Sequence, residues 1–378
     1  MIPYGHQTIE EDDIQAVTEV LRSDWLTQGP KVAEFEQALA DCTGAKFAVA
    51  VSNGTAALQA AYFAAGIQPG DEVITSPLTF AATSNAALWL GAKIVFADVD
   101  PETGNLDPTA VESVVTEKTK AIVPVDYAGH PADMSRLREI ASRCGAKLIE
   151  DSAHALGASI GDRKVGTLAD LTTMSFHPVK IITTGEGGAI LTDNPDFAER
   201  LRLYRSHGIT KANLRMPSPG DWYYEQQELG QNYRLTDFQS ALGISQLKKL
   251  DRFLAARHEV AGRYAEALKD VKTLRLPVER EGFRSGWHLY PIRLIGAAIT
   301  KRPEVFRQLR EAGIGVQVHY IPVYWHPYYQ TLGYRKGLCP NVESFYETEI
   351  SIPMFPALST ADQQSVIDIL KKILVQYE

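Results

Sequence analysis

A chain of 378 residues, 45% hydrophobic and 22% charged, has the balance of a folded globular protein and is long enough for one large domain with a smaller one beside it. Its formal net charge of −8 argues against a nucleic-acid surface, although it leaves room for a local basic pocket. No apolar run reaches the length of a membrane span, the start Met-Ile-Pro-Tyr-Gly-His-Gln lacks the features of a secretory leader, and the three cysteines are scattered. The expected setting is therefore cytoplasmic and reducing, with no membrane, metal or nucleic-acid partner.

In chain order, Thr8-Ile9-Glu10-Glu11 reads as a capping box that opens a docking helix with Ile14, Val17, Val20 and Leu21 at helical spacing. Asp24–Pro30 breaks that pattern, and Pro30 starts a second helix through Leu39. Apolar strand-like runs then alternate with helical ones: Phe47–Val51, Val73–Thr75, Lys93–Phe96, Ala121–Val125, Lys147–Ile149 and Thr172–Phe176, with helices after Gly54, through Leu88, after Pro108 and near Leu137. Such a series predicts a mostly parallel sheet covered on both faces, with a ligand beyond the carboxyl ends of its strands. One long helix is expected from Leu235 to about Lys269, linking two domains, 1–250 and 251–378. Trp287–Leu294, Val316–Tyr320 and Glu349–Ile352 read as strands, and Pro303–Ala312 and Ser359–Leu374 as helices, of a small α+β domain; Tyr320–Tyr334 reads as an aromatic loop.

Three stretches carry candidate chemistry. Ser52-Asn53-Gly54-Thr55-Ala56-Ala57-Leu58 leaves a strand and opens a helix, so its free amides can hold an anion such as a phosphate; it also reads as a plain helix cap. It is neither a Walker loop nor a G-x-G-x-x-G turn, which disfavours ATP and NAD. Glu150-Asp151-Ser152-Ala153-His154 delivers a carboxylate to the same edge, where it can keep a pyridine nitrogen protonated; taken alone, Asp151 is equally a solvated or capping acid, and His154 and His177 are equally structural. Phe80 reads as core or as a stacking partner for a flat ring. Lys180, in Ser175-Phe176-His177-Pro178-Val179-Lys180 before Thr183-Thr184-Gly185-Glu186-Gly187-Gly188, sits just past a strand end, where partial desolvation would let it attack a carbonyl.

Together, and with Gly230-Gln231-Asn232-Tyr233-Arg234-Leu235-Thr236-Asp237, these stretches resemble the sugar aminotransferases of the DegT/DnrJ/EryC1/StrS family over nearly the whole chain. The resemblance implies the aspartate-aminotransferase fold (fold type I), an α/β architecture with a large, mostly parallel sheet domain and a smaller C-terminal α+β domain, and pyridoxal 5′-phosphate as cofactor. It implies that Lys180 bonds the cofactor and shuttles the proton, Asp151 pairs with the pyridine nitrogen, Phe80 stacks on the ring and His154 lies near the phenolic oxygen. Gly54, Thr55 and Ser175 would hold the phosphate, with Asn232 arriving from the other subunit of a homodimer. Relatives with histidine in place of the lysine are dehydratases, so Lys180 favours transamination.

Asp126-Tyr127-Ala128-Gly129, His288-Leu289-Tyr290-Pro291 and Gln317-Val318-His319-Tyr320 are most similar to family members that act in pseudaminic acid biosynthesis. That similarity implies L-glutamate as donor, C4 of a UDP-linked 4-keto-6-deoxy-N-acetyl-L-hexosamine as acceptor, and sugar contacts from Tyr4, Asp24, Trp25, Leu26, Thr27, Gln317, Val318, His319 and Tyr320. Alternatives are another nucleotide-linked keto sugar, of UDP-bacillosamine or dTDP type and aminated at C4 or C3, or a non-catalytic cofactor-binding regulator.

Overall fold

The computed structural model describes residues 1–377. A seven-stranded sheet carries the fold, in the spatial order Phe47–Val51, Gly188–Thr192, Leu171–Ser175, Lys147–Asp151, Thr119–Val123, Glu72–Thr75 and Lys93–Phe96. Gly188–Thr192 runs antiparallel to both neighbours, and the remaining pairs are parallel. The strands are near-continuous apolar runs because helices cover both faces; Val49, Val73, Ile122, Val123, Ile149 and Leu171 have no appreciable exposure. The reversed strand follows from the turn at Thr183–Gly187, where Thr183 Oγ1 and Thr184 N both donate to Phe176 O at 3.0 Å and Gly185 takes φ 79°. Only a residue tolerant of positive φ fits that bend without strain.

Several expectations change in detail. The first helix, Glu11–Leu21, is capped by Glu10 and Asp13 rather than by Thr8, and its Ile14 and Leu21 are exposed. It buries Val20 together with an acid: Asp13 lies fully inside, 2.8 Å from Lys249 Nζ, which also reaches Asp12 at 2.5 Å. The same lysine interrupts the single long helix expected from Leu235. Two helices form, Asp237–Leu247 and Leu250–Leu268, and the chain turns at Lys249 so that its ammonium enters the acidic cluster. Val316–Tyr320 is extended but joins no sheet, touching Ser351 through one bridge at Gln317. The aromatic loop contains a turn of 3₁₀ helix at Val323–Trp325 and a short helix at Pro327–Thr331.

The helix Leu250–Leu268 serves two cores. Leu250, Phe253 and Leu254 pack with the large sheet's underside, whereas Val260, Ala261, Tyr264 and Leu268 pack with Ile292, Leu294, Ile350 and the terminal helix Thr360–Leu374. Val323, Tyr324, Tyr329 and Phe345 return to the large sheet's other core. Among the described residues, no helix is long and apolar enough to cross a membrane.

Candidate active site

The carboxyl ends of the strands open on a cavity of about 650 Å³ lined by residues from distant parts of the chain. Its floor begins at Asn53, whose side chain caps the helix Gly54–Ala64 by accepting from Ala56 N at 2.8 Å. The amides of Gly54 and Thr55, in the first turn, have no carbonyl of their own helix to bond. A Cβ on Gly54 would lie 3.0 Å from Ser175 Cβ and 3.2 Å from its Oγ, a crowded contact that Ser175 would have to yield to by a few tenths of an ångström. Strand end and helix start therefore close on one small pocket with an anion-attracting helix terminus.

Asp151 ends its strand buried beneath the same cavity. Thr83 Oγ1 donates to Asp151 Oδ2 at 2.7 Å, and Thr83 is in turn 2.7 Å from Thr79 Oγ1. Burial raises the Asp151 pKa, while the Thr83 hydroxyl, the Ala153 amide and the charge of Lys180 favour the ionised form. Lys180 lies on the facing side, its amide donating to His177 O at 2.9 Å to close a tight turn. Desolvation pulls its ammonium down to about 8, with Asp151 opposing. A lysine so tuned has a useful neutral fraction near physiological pH.

His154 Nε2 is 3.2 Å from the Tyr320 hydroxyl, and its Nδ1 is buried with no protein partner. Burial, then the charges of Lys180 and His319, hold its pKa well below the usual histidine range, so the ring is neutral.

The cavity gathers Gly54, Thr55, Phe80, Asp151, His154, Ser175, Lys180, Tyr4, His319 and Tyr320. It does not gather the others within one chain. Asn232 is exposed and outside the lining, as is Gln317; Val318 is half-buried beside it. Asp24, Trp25, Leu26 and Thr27 form an exposed turn held to the start of the Asp237 helix, where Leu26 O accepts from Asp237 N at 3.0 Å. Phe80 is 65% exposed at the rim, so it is not core.

Residues that the sequence reading left out are Thr83, Thr79, Tyr233 and Glu186. Nothing local in the sequence ties Thr83 to an aspartate 68 positions on. Tyr233 lies beside Asn232 in the Gly230–Asp237 motif, and its hydroxyl donates to Gln59 on the phosphate-cup helix.

Known proteins resemble the chain from end to end. It is 42% identical to the spore coat polysaccharide biosynthesis protein SpsC of Bacillus subtilis, over 99% of this chain and 97% of that one. It is 42% identical to a UDP-4-amino-4,6-dideoxy-N-acetyl-beta-L-altrosamine transaminase of Campylobacter jejuni, over 99% and 98%. The solved structure of Helicobacter pylori PseC, an aminotransferase involved in the biosynthesis of pseudoaminic acid, superposes with a TM-score of 0.94 at 35% identity, covering all of both chains. With the model of the DegT/DnrJ/EryC1/StrS aminotransferase family matching residues 7–371, the chain belongs to that family and is a sugar aminotransferase of the fold its sheet displays.

Proposed function

We propose that the enzyme transfers the amino group of L-glutamate to C4 of a UDP-linked 4-keto-6-deoxy-N-acetyl-L-hexosamine, using pyridoxal 5′-phosphate, as a cytoplasmic homodimer with shared sites. The observation that carries this reading is the convergence of Lys180, Asp151 and the Gly54 helix terminus on one cavity. The residues present fit the cofactor. The helix terminus at Gly54 crowds close to Ser175, the buried acid suits a pyridine nitrogen, and His154 lines the same cavity. When bound, pyridoxal 5′-phosphate supplies an electron sink that lets a proton leave carbon.

The chain's own groups do the rest. Gly54, Thr55 and Ser175 hold an anion; Asp151, braced by Thr83, holds a proton on the group above it; Phe80 covers the rim. Lys180 takes and returns a proton at Nζ, which its lowered pKa makes possible near neutrality. Tyr4, His319 and Tyr320 orient the sugar from one wall. Asn232 and the Asp24–Thr27 turn, exposed in one chain, are taken to complete the partner's site. Residues 1–250 and 251–378 are taken as the two domains, consistent with the change of core along Leu250–Leu268.

The acceptor is tested by offering a panel of nucleotide-linked 4-keto sugars with L-glutamate and locating the new C–N bond by NMR. Nitrogen at C4 of the UDP-linked L-sugar is expected. A higher kcat/KM for dTDP-4-keto-6-deoxyglucose, or nitrogen at C3, overturns the substrate and leaves the transaminase. The equal identity to SpsC, a relative of different name, supports another nucleotide-linked keto sugar as the second reading.

A further inference from the structure

A carboxylate with no assigned role reaches the cavity through two intermediaries. Glu349, fully buried, opens the strand Glu349–Ile352. Its Oε2 accepts the backbone N–H of His319 at 2.8 Å, and its Oε1 lies 2.5 Å from Ser351 Oγ. Ser351 Oγ lies 2.9 Å from His319 Nδ1. The backbone holds this row in place: Gln317 and Ser351 exchange amide bonds of 3.2 and 2.8 Å, and buried Tyr127 donates to His319 O at 2.6 Å. His319 lines the cavity, and among the described residues its Nε2, the ring nitrogen away from Ser351, has no hydrogen-bond partner.

Oε1, Oγ and Nδ1 share two bridging hydrogens, so the directions of the two bonds are linked. With the proton on Glu349, the carboxyl donates to Ser351, Ser351 donates to Nδ1, and Nε2 carries the ring hydrogen. With Glu349 ionised, Nδ1–H donates to Ser351, Ser351 donates to the carboxylate, and Nε2 presents a bare lone pair. The charge state of a group deep in the small sheet is thus displayed as a histidine tautomer on the cavity wall.

We propose that Glu349, Ser351 and His319 form a proton relay ending at His319 Nε2, which handles the protons exchanged when the sugar's ketone oxygen leaves as water. This rests on the keto-sugar reading above. In delivery, the Nε2–H bond breaks toward the oxygen, the Ser351 hydrogen passes to Nδ1, and the Glu349 carboxyl hydrogen passes to Ser351 Oγ, leaving a carboxylate. Uptake from the incoming nitrogen is the reverse. That nitrogen gives up two hydrogens and the departing oxygen gains two, so the balance closes without another reactant.

The imidazole never needs to carry both protons, which matters because burial, then the charge of Lys180, pushes His319 down to about 3. Burial pushes Glu349 up to about 8, against the Ser351 hydroxyl, the His319 amide and the charge of Arg302. Arg293 stands opposite Glu349 on the neighbouring strand, and Tyr127 lies near it. Tyr4 and Tyr320 flank the His319 ring. Glu349 and Ser351 are positioning residues acting through His319.

The test reads the His319 tautomer by long-range ¹H–¹⁵N NMR of histidine-labelled enzyme, the signal being assigned by its loss in His319→Gln. The Nε2–H form is expected at pH 6.5 and the Nδ1–H form at pH 9.5. In Glu349→Gln the amide NH₂ donates to Ser351 permanently, so the Nε2–H form should persist at both pH values. Ser351→Ala, a second variant should the first fold poorly, should uncouple the tautomer from Glu349. Keto-sugar turnover should fall on the order of 10²-fold in Glu349→Gln, and the pH–rate profile near 8 should lose one of the two groups titrating there, leaving that of Lys180. A single tautomer throughout in wild type, or switching that survives in Glu349→Gln, overturns the relay; an unchanged pH–rate profile in Glu349→Gln overturns its part in turnover. The tautomer needs no sugar, so an error in the acceptor would leave that measurement standing.

Discussion

Thr83 donates its hydroxyl hydrogen to Asp151 Oδ2 at 2.7 Å, tying the first turn of the helix Ala82–Leu88 to the end of a strand. Burial favours the neutral acid, whereas this bond, the Ala153 amide and the charge of Lys180 favour the ion. Thr83→Val should weaken pyridoxal 5′-phosphate binding about tenfold, or ~1.4 kcal/mol, as expected for one hydrogen bond to a charged group. Thr83→Ser should restore it. Cofactor titration followed by tyrosine and tryptophan fluorescence measures both.

Lys180→Ala should fold normally, since its removal relieves a desolvated ammonium at a cavity wall, yet show no visible band from covalently held cofactor and at least about 10²-fold lower turnover. Circular dichroism and absorbance in the same sample decide the matter. A wild-type band with normal turnover would remove Lys180 from its role.

The lowered lysine pKa fixes a pH dependence. Below about 8 the ammonium is protonated, and the reactive amine falls about tenfold per pH unit; above it the amine predominates. Capture of added cofactor by the cofactor-free protein should therefore speed up from pH 6 to 8 and level off by 9. Stopped-flow absorbance gives the profile, and a midpoint near that of a free lysine would contradict the desolvation argument.

Asn232 is exposed and outside the cavity of its own chain. If it completes the partner's site, mixing Lys180→Ala with Asn232→Ala subunits should generate some dimers with one intact site. Recovered activity after proven subunit exchange should exceed the sum of the two parents. Activity equal to that sum points to sites built within single chains.

The sheet was legible because strands buried on both faces write themselves as apolar runs, and Phe47–Val51 and Lys93–Phe96 have the bounds the pattern gives. Lys180, Asp151 and Gly54 were legible because each stands where a strand ends, which topology brings to one edge. What stayed hidden depends on partners far along the chain. Thr8 resembles a cap, but the helix starts two residues later because Asp13 is held inside by Lys249 and Gln246. Helical periodicity runs through Lys248 and Lys249 without a mark, and only the acids of the first helix draw that lysine inward. The bond from His319 to Ser351 spans 32 residues and two elements that look unrelated in sequence.

Tyr4 and His319 come from opposite ends of the chain but hang on one clip. Ile2 N donates to Gly313 O at 2.8 Å, Gly315 N donates to Ile2 O at 2.6 Å, and Met354 N donates to Tyr4 O at 2.9 Å. A Cβ on Gly315 would lie 2.8 Å from Ile2 O, so the clip closes on backbone. The floor of the cavity, at residues 53–55, 79–83, 151–154 and 175–180, makes none of the clip's backbone bonds and meets the wall where His154 Nε2 lies 3.2 Å from the Tyr320 hydroxyl. Wall and floor are thus separable inheritances: acceptor preference can drift while the chemistry stands still. A chimera taking residues 1–5 together with 313–320 from a relative should import that relative's sugar preference without loss of cofactor affinity, whereas either segment alone should leave the wall badly seated.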